Sequence, residues 1–334
     1  MKAHRKRDFI VFLIGLAILV LCPLFVGEMY LYLIRIISIY AILTIGLNIF
    51  MGYCGQINLG VAGFFCLGAY LPTVLQAKLG WHYLEAFPVT IVVALLLAWA
   101  ISWPLMRLRS HTMAIGTLSF AMALYLVAVR ARPLTGGSDG TVVPSMMLFG
   151  KTMGPLFYYY LILFFLAAAL AMEYLLVYSR TGRAFAALRD NEEAAEAMGV
   201  DIEHYRRLGW LVNGVLASIG GALYAEQAAF ISPDTFSAAC SFLVLTMFCV
   251  GGAGTIVGPL VGAAIMTLLP YLLITIQQYS YLAQGLILFT VLRFLPAGVV
   301  GSLLKVMPSR RTQGLPSRAA GPMLGAMPAN KGQG

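Results

Sequence analysis

Charge is what this chain has least of. Only 10% of its 334 residues are Asp, Glu, Lys or Arg, and only 13 are acidic, where a soluble domain carries roughly a quarter charged residues. Set against 60% hydrophobic residues and a mean hydropathy of +0.87, that scarcity excludes a soluble globular protein. Alternating ten-residue strands are missing too, which sets aside a β-barrel. No row of carboxylates lies inside the apolar runs to carry a proton or a sodium ion. The five cysteines (Cys22, Cys54, Cys66, Cys240, Cys249) form no CxxC pair, which speaks against metal or redox chemistry. His4, His82, His111 and His204 fall outside the spans assigned below and have no partner at ligand spacing. There is no GxxxxGK[ST] phosphate loop. Gly252-Ala-Gly254-Thr-Ile-Val-Gly258 imitates a dinucleotide fingerprint, but its last glycine is one position late and no soluble βαβ unit surrounds it. No catalytic set, cofactor site or metal site is therefore expected in the chain.

What is there is a series of apolar runs of about 20 residues, each long enough to cross a bilayer as a helix. The expected fold is an all-α, polytopic transmembrane bundle of about ten spans: Phe9–Val26, Leu31–Met51, Ile57–Ala77, Ala86–Met106, Thr112–Val129, Pro155–Tyr178, Leu208–Phe230, Phe236–Val250, Ile256–Ile276 and Tyr281–Leu304. The first follows Lys2–Arg7 and has no small-residue cleavage site, so it reads as an uncleaved span rather than a signal peptide. Arg35 falls near a span end, where it can snorkel. Glu173 falls near the other end of its span, within reach of the interface. If the glycine-rich breaks Gly52–Gln56 and Gly251–Gly254 are re-entrant, the count drops towards eight. The body then comprises residues 1–304. The tail 305–334, rich in Gly, Pro and Arg, is expected to be disordered.

The net charge of +9 describes orientation rather than nucleic-acid binding, because the basic residues sit at the ends of apolar runs. With the N-terminus inside, 17 of the 22 Lys and Arg residues face the cytoplasm and 5 face outward, a strong positive-inside bias. That assignment makes both termini cytoplasmic.

One stretch breaks the apolar pattern. Ser179–Arg207 carries 11 of the chain's 35 charged residues and falls on the cytoplasmic side. Thr181 is placed to cap a helix beginning near Gly182. Phe185 and Leu188 share one face, Arg189 and Glu193 have the i,i+4 spacing of an ion pair, Gly199 suits a stop, and Asp201 can cap the next helix. The reading is a short amphipathic helix across the cytoplasmic mouth, fit to dock a soluble partner; the alternative is a solvated connector. Candidate path or packing residues are Asn48, Gly52, Gln56, Asn58, Gly60, Gly251, Gly252, Gly254, Gly258 and Gly262, with Asn213, Glu226 and Gln227 as further intramembrane polar groups. Gly258 and Gly262 form a GxxxG pair of the kind that lets helix backbones approach in lipid. Gly-interrupted spans in two halves of a transporter also line substrate paths.

Four motifs in order carry a resemblance. Gly46-Leu-Asn-Ile-Phe-Met-Gly-Tyr-Cys-Gly-Gln-Ile-Asn-Leu-Gly60 with Phe64–Tyr70, then Thr135-Gly-Gly-Ser-Asp-Gly140, then Gly182-Arg183 through Gly199, then Gly251–Gly262 resemble the signature of branched-chain amino acid ABC transporter permeases of the LivM type. The resemblance implies an inner-membrane importer subunit whose segment Arg180, Gly182, Arg183, Phe185, Leu188, Arg189, Glu193, Ala194, Ala195 and Gly199 couples to an ATPase. It also implies a LivH-like sister permease, two ATP-binding subunits that hold the ATP and Mg, and a periplasmic substrate-binding protein. Two positions depart from the pattern: Asn58 stands where relatives more often have Ser, and Val61 where they often have His. Sister families with this signature carry urea or other small amides. An ion-coupled secondary transporter or channel, and a membrane-anchored structural protein, are the alternatives from other classes.

Overall fold

A computed structural model describes residues 19–24, 27–108, 110–148, 151–272 and 298–306, together with 285, 286, 289–291, 293 and 294. The expected span Phe9–Val26 lies mostly outside the described residues, as do parts of Tyr281–Leu304, the end of Ile256–Ile276 and all but two residues of the tail.

Helix α1, Glu28–Leu47, opens with an acidic residue in its first turn, where the helix dipole favours it. A π-turn, Asn48–Tyr53, prolongs it. The next helices are α2, Val61–Leu79, α3, Tyr83–Leu105, and α4, Ser110–Arg130. Proline at its first position starts α5, Pro155–Val177. The charged stretch forms α6, Arg180–Asp190, and α7, Glu192–Ala197. The chain then continues through α8, Ile202–Ala228, α9, Ala238–Gly251, α10, Gly258–Leu272, and α11, Gly298–Val306.

Among the described residues, five helices are long and apolar enough to cross a membrane: Glu28–Tyr53, Tyr83–Leu105, Thr112–Arg130, Pro155–Val177 and Ile202–Ala228. They fall into two classes. The apolar stretches of Glu28–Tyr53 and Ile202–Ala228 are 83% and 72% buried, so these helices form the centre; those of Tyr83–Leu105 and Thr112–Arg130 are 28% buried. The outer helices turn Leu96, Trp99, Trp103, Ile115 and Phe164 outward, a distribution that suits hydrocarbon and not water. Helix α2 carries Gln76 and Lys78 in its last turn and packs against α8 in the interior. Helices α9 and α10 have 14 and 15 described residues, or about 21–23 Å at 1.5 Å per residue.

The central crossing of α2 and α8 depends on small residues. A β-carbon at Gly68 would run into the backbone of Ser218, and one at Gly221 into the backbone around Phe65 and Ala69. Backbones this close leave dispersion and short polar contacts to hold the pair, among them the Ser218 hydroxyl donating to Phe64 O at 3.1 Å. Trp210 fills the adjacent layer, its ring against Phe50, Phe64 and Phe120 and its indole N–H donating to Ala98 O at 3.0 Å.

The long connection between α4 and α5 is not a plain loop. It holds a helical turn, Arg132–Thr135, and strands β1, Thr141–Val142, β2, Met147–Leu148, and β3, Lys151–Thr152. Strand β1 pairs antiparallel with β4, Phe230–Ile231, just after α8, and β2 pairs with β3. Two-residue strands leave no period to read in a sequence.

Gly221→Val is expected to push α2 from α8, costing roughly 1–3 kcal/mol by overpacking and lowering the thermal unfolding midpoint of the detergent-purified protein. Gly154→Ala, where nothing lies within 4 Å of the added carbon, should leave the midpoint unchanged.

Candidate functional site

The charged segment links two long helices, leaving α5 and entering α8. Its geometry corrects the sequence reading in three places. Ser179, not Thr181, is the cap: its hydroxyl accepts from Thr181 N at 3.1 Å and Gly182 N at 3.4 Å, and the helix starts at Arg180. There are two helices rather than one, because Asn191 leaves helical geometry and caps α7 by accepting from Ala194 N at 3.0 Å. With the helix broken there, Arg189 and Glu193 do not pair; Arg189 Nε faces Asp190 at 3.7 Å instead. Asp201 caps α8 as expected, accepting from His204 N at 3.0 Å. Gly199, at φ +80°, ends the preceding helix.

Phe185, Leu188 and Ala195 turn inward and are buried, Phe185 edge-on to Tyr205. Arg180, Arg183, Glu193 and Ala194 face outward, and Met198 is 85% exposed at the far end. Gly182 sits directly on the carbonyls of Leu176 and Val177, so α6 is held hard against the end of α5. At the other end, Arg206 pairs with Glu192 and donates to Met106 O at 3.4 Å, pinning the segment to the end of α3.

From this platform Arg189 reaches inward. Its Nη1 donates to Gly52 O at 3.1 Å. Its backbone lies against Gly55, whose φ of +75° and contact with Arg189 leave no room for a side chain. The same guanidinium nitrogen lies 3.3 Å from the β-carbon position of Gly254. The two glycine-rich breaks, about 200 residues apart in sequence, thus meet under one arginine of the charged segment.

Asn48 joins them. Its Nδ2 donates to Glu173 Oε1 at 2.6 Å and to Thr255 O at 3.0 Å, and its Oδ1 accepts from Gly254 N at 2.9 Å. A β-carbon at Gly52 would strike the Asn48 amide and the Gly254 backbone. One buried amide therefore ties α1, α5 and the loop between α9 and α10. Glu173, expected to reach the interface, is instead fully buried. It is the single charged residue in Pro155–Val177, and that isolation is a signal for a buried role that nearness to the span end hides.

The remaining candidates lie elsewhere. Asn58 Oδ1 accepts from Gly60 N at 2.7 Å, and Gly60 packs on Thr117 O of α4. Gln56 is buried with its Oε1 unpartnered among the described residues. Gly251, Gly258 and Gly262 make the close contact between α9 and α10, Gly262 lying on Met247 O, while Gly252 lies against Gly298. Among the described residues, no three His, Cys, Asp or Glu side chains are grouped to hold a metal.

The latch makes a quantitative prediction. Asn48→Ala should cost about 3 kcal/mol by leaving Glu173 buried without its donor. A double-mutant cycle with Glu173→Ala, read from unfolding of the purified protein, should return a coupling of at least about 1 kcal/mol; additive effects would refute the contact.

The chain is 25% identical over 321 residues to the high-affinity branched-chain amino acid transport system permease protein LivM of Escherichia coli (strain K12), covering 89% of this chain and 75% of that one. It is 24% identical over 284 residues to LivH of the same organism, covering 79% and 92%. It is 29% identical over 206 residues to the autoinducer 2 import system permease protein LsrC of Yersinia pseudotuberculosis, covering 58% and 55%. No solved structure matches. The family described as branched-chain amino acid transport system / permease component matches residues 29–292, and the chain belongs to that family of multi-pass membrane permeases.

Proposed function

We propose that this chain is one permease subunit of an ABC importer, forming with a LivH-like sister subunit the path for branched-chain amino acids across the bacterial inner membrane. Two separate ATP-binding subunits supply the energy and hold the ATP and Mg, and a periplasmic binding protein delivers the cargo. The chain crosses the membrane eight to ten times with both termini in the cytoplasm, a topology supported by the 17-to-5 distribution of basic residues.

The observation that carries this reading is the connection of the charged segment. It has no phosphate loop beside it in the sequence, so the chain does not bind nucleotide in that manner. Yet α6 and α7 are wired to three membrane helices: to α5 through Ser179–Gly182, to α8 through Asp201, and to the end of α1 through Arg189. Displacing the segment displaces Gly52 and, through Asn48, the loop at Gly254. In this mechanism, closure of the ATPase dimer pushes on Arg180–Gly199, and the two glycine breaks shift relative to each other to open or shut the inner end of the path. The GxxxG packing of Gly258 and Gly262 keeps α9 and α10 moving as a unit.

Met198 is the exposed apolar tip of the segment, with exposed Glu193, Glu196 and Asp201 around it in sequence. An apolar knob that enters a pocket at an interface contributes disproportionately to binding. Affinity purification of the tagged chain from its native membrane should bring down a sister permease and two P-loop ATPases. Met198→Asp should reduce the recovered ATPase about tenfold, a change of roughly 1.4 kcal/mol, without changing the amount of chain in the membrane. A chain that comes out alone even after cross-linking would refute the reading.

A further inference from the structure

At the end of the bundle opposite the charged segment lies a cleft of about 260 Å³ lined by Arg35, Met146, Met153, Tyr158, Glu226 and Gln227, among others. The position follows from connectivity. Helix α5 begins beside the cleft at Pro155 and ends at the charged segment, and α8 begins at that segment and reaches the cleft at Glu226. This is the end at which cargo would enter under the function proposed above.

Two opposite charges line the cleft, and neither is fully satisfied. Arg35, expected to snorkel, is 7% exposed. Its Nη1 donates to Pro155 O at 3.1 Å and its Nη2 faces the exposed Glu28 at 3.9 Å, but its buried Nε has no partner among the described residues. Glu226 Oε1 accepts from Met146 N at 2.6 Å, and its Oε2 is buried without a partner among the described residues. The two side chains do not form an ion pair with each other. Tyr158 itself is committed, donating to Leu223 O. Leaving both a guanidinium and a carboxylate short of partners in a half-buried setting is costly. A ligand carrying both charges would relieve both at once.

We propose that this cleft is an entry site for a zwitterionic α-amino acid, its carboxylate on Arg35 and its ammonium on Glu226. The two charged groups of such a solute are roughly 2.5 Å apart through Cα, as standard bond lengths require, so one small ligand presents both charges to a cleft that Arg35 and Glu226 both line. Met146 and Met153 supply a soft apolar wall for the side chain, since unbranched thioethers adapt to irregular shapes. The volume is below the roughly 300–1,000 Å³ of drug-sized sites and suits a solute of amino-acid size. The proposal deepens, and rests on, the importer reading. Urea and other uncharged amides would satisfy neither charge.

The test uses the complete transporter in nanodiscs, without ATP and without the binding protein, and tritiated L-leucine as the probe. L-leucine should compete for the label, whereas N-acetyl-L-leucine, which lacks the ammonium, and L-leucinamide, which lacks the carboxylate, should compete at least about tenfold more weakly. Glu226→Gln should weaken leucine binding about tenfold or more, and Arg35→Lys less than Arg35→Gln. Equal competition by the blocked analogues, no saturable binding to the wild-type complex, or binding unchanged in folded Glu226→Gln would each overturn the site. ATP-driven leucine uptake by the same wild-type complex with its binding protein is measured in parallel. Absent uptake rejects the cargo assignment, and uptake without cleft binding rejects the cleft alone.

Discussion

Asn48 must satisfy both a donor and an acceptor in a place water does not reach, and the inner end of this bundle is arranged around that requirement. A side chain that is 0% exposed loses about 1–3 kcal/mol for each polar group left unpaired. Its partners come from three separate parts of the chain: Glu173 on α5, and the Thr255 carbonyl and Gly254 amide on the loop before α10. The π-turn at Asn48–Tyr53 places this amide at the end of α1, consistent with the tendency of such turns to occur at functional positions. The glycines around it follow from the same geometry. At Gly52 any side chain would displace the amide, and at Gly55 it would displace Arg189.

The two ends of the molecule are built on different physics. The end with the charged segment is a network of directed hydrogen bonds and ion pairs, which hold a surface helix in a fixed relation to buried backbone. The opposite end is a shallow, partly polar cleft closed by two-residue strand pairs and the α4–α5 connection. Between them, α2 and α8 form a tightly packed centre in which Gly68, Ser218 and Gly221 bring backbones into contact. A packed core of this density transmits displacement rather than absorbing it, so a movement at Arg189 has somewhere to go.

Much of this could be read from the sequence, and for clear reasons. Apolar runs with basic ends identified the helical membrane class, because hydrocarbon permits few other solutions. The charged stretch stood out because nothing else in the chain resembled it, and the buried faces of Phe185 and Leu188 and the stop at Gly199 followed from helical spacing. What could not be read depended on contacts distant in sequence or on a single backbone dihedral. The break at Asn191 (φ −162°) redirected Arg189 from Glu193 to Gly52, and no local pattern announces that. Glu173 and Arg35 were assigned to interfaces by their nearness to span ends, but each has a buried partner supplied from elsewhere, Asn48 for one and Pro155 O for the other.

The central claim is that Arg189 carries motion from the charged segment to the two glycine breaks. The most direct measurement is leucine transported per ATP hydrolysed in proteoliposomes holding the complete importer with Arg189→Ala. The account predicts that ATP hydrolysis continues while uptake falls at least about tenfold, equivalent to roughly 1.4 kcal/mol of lost coupling. An unchanged ratio of transport to hydrolysis would contradict it.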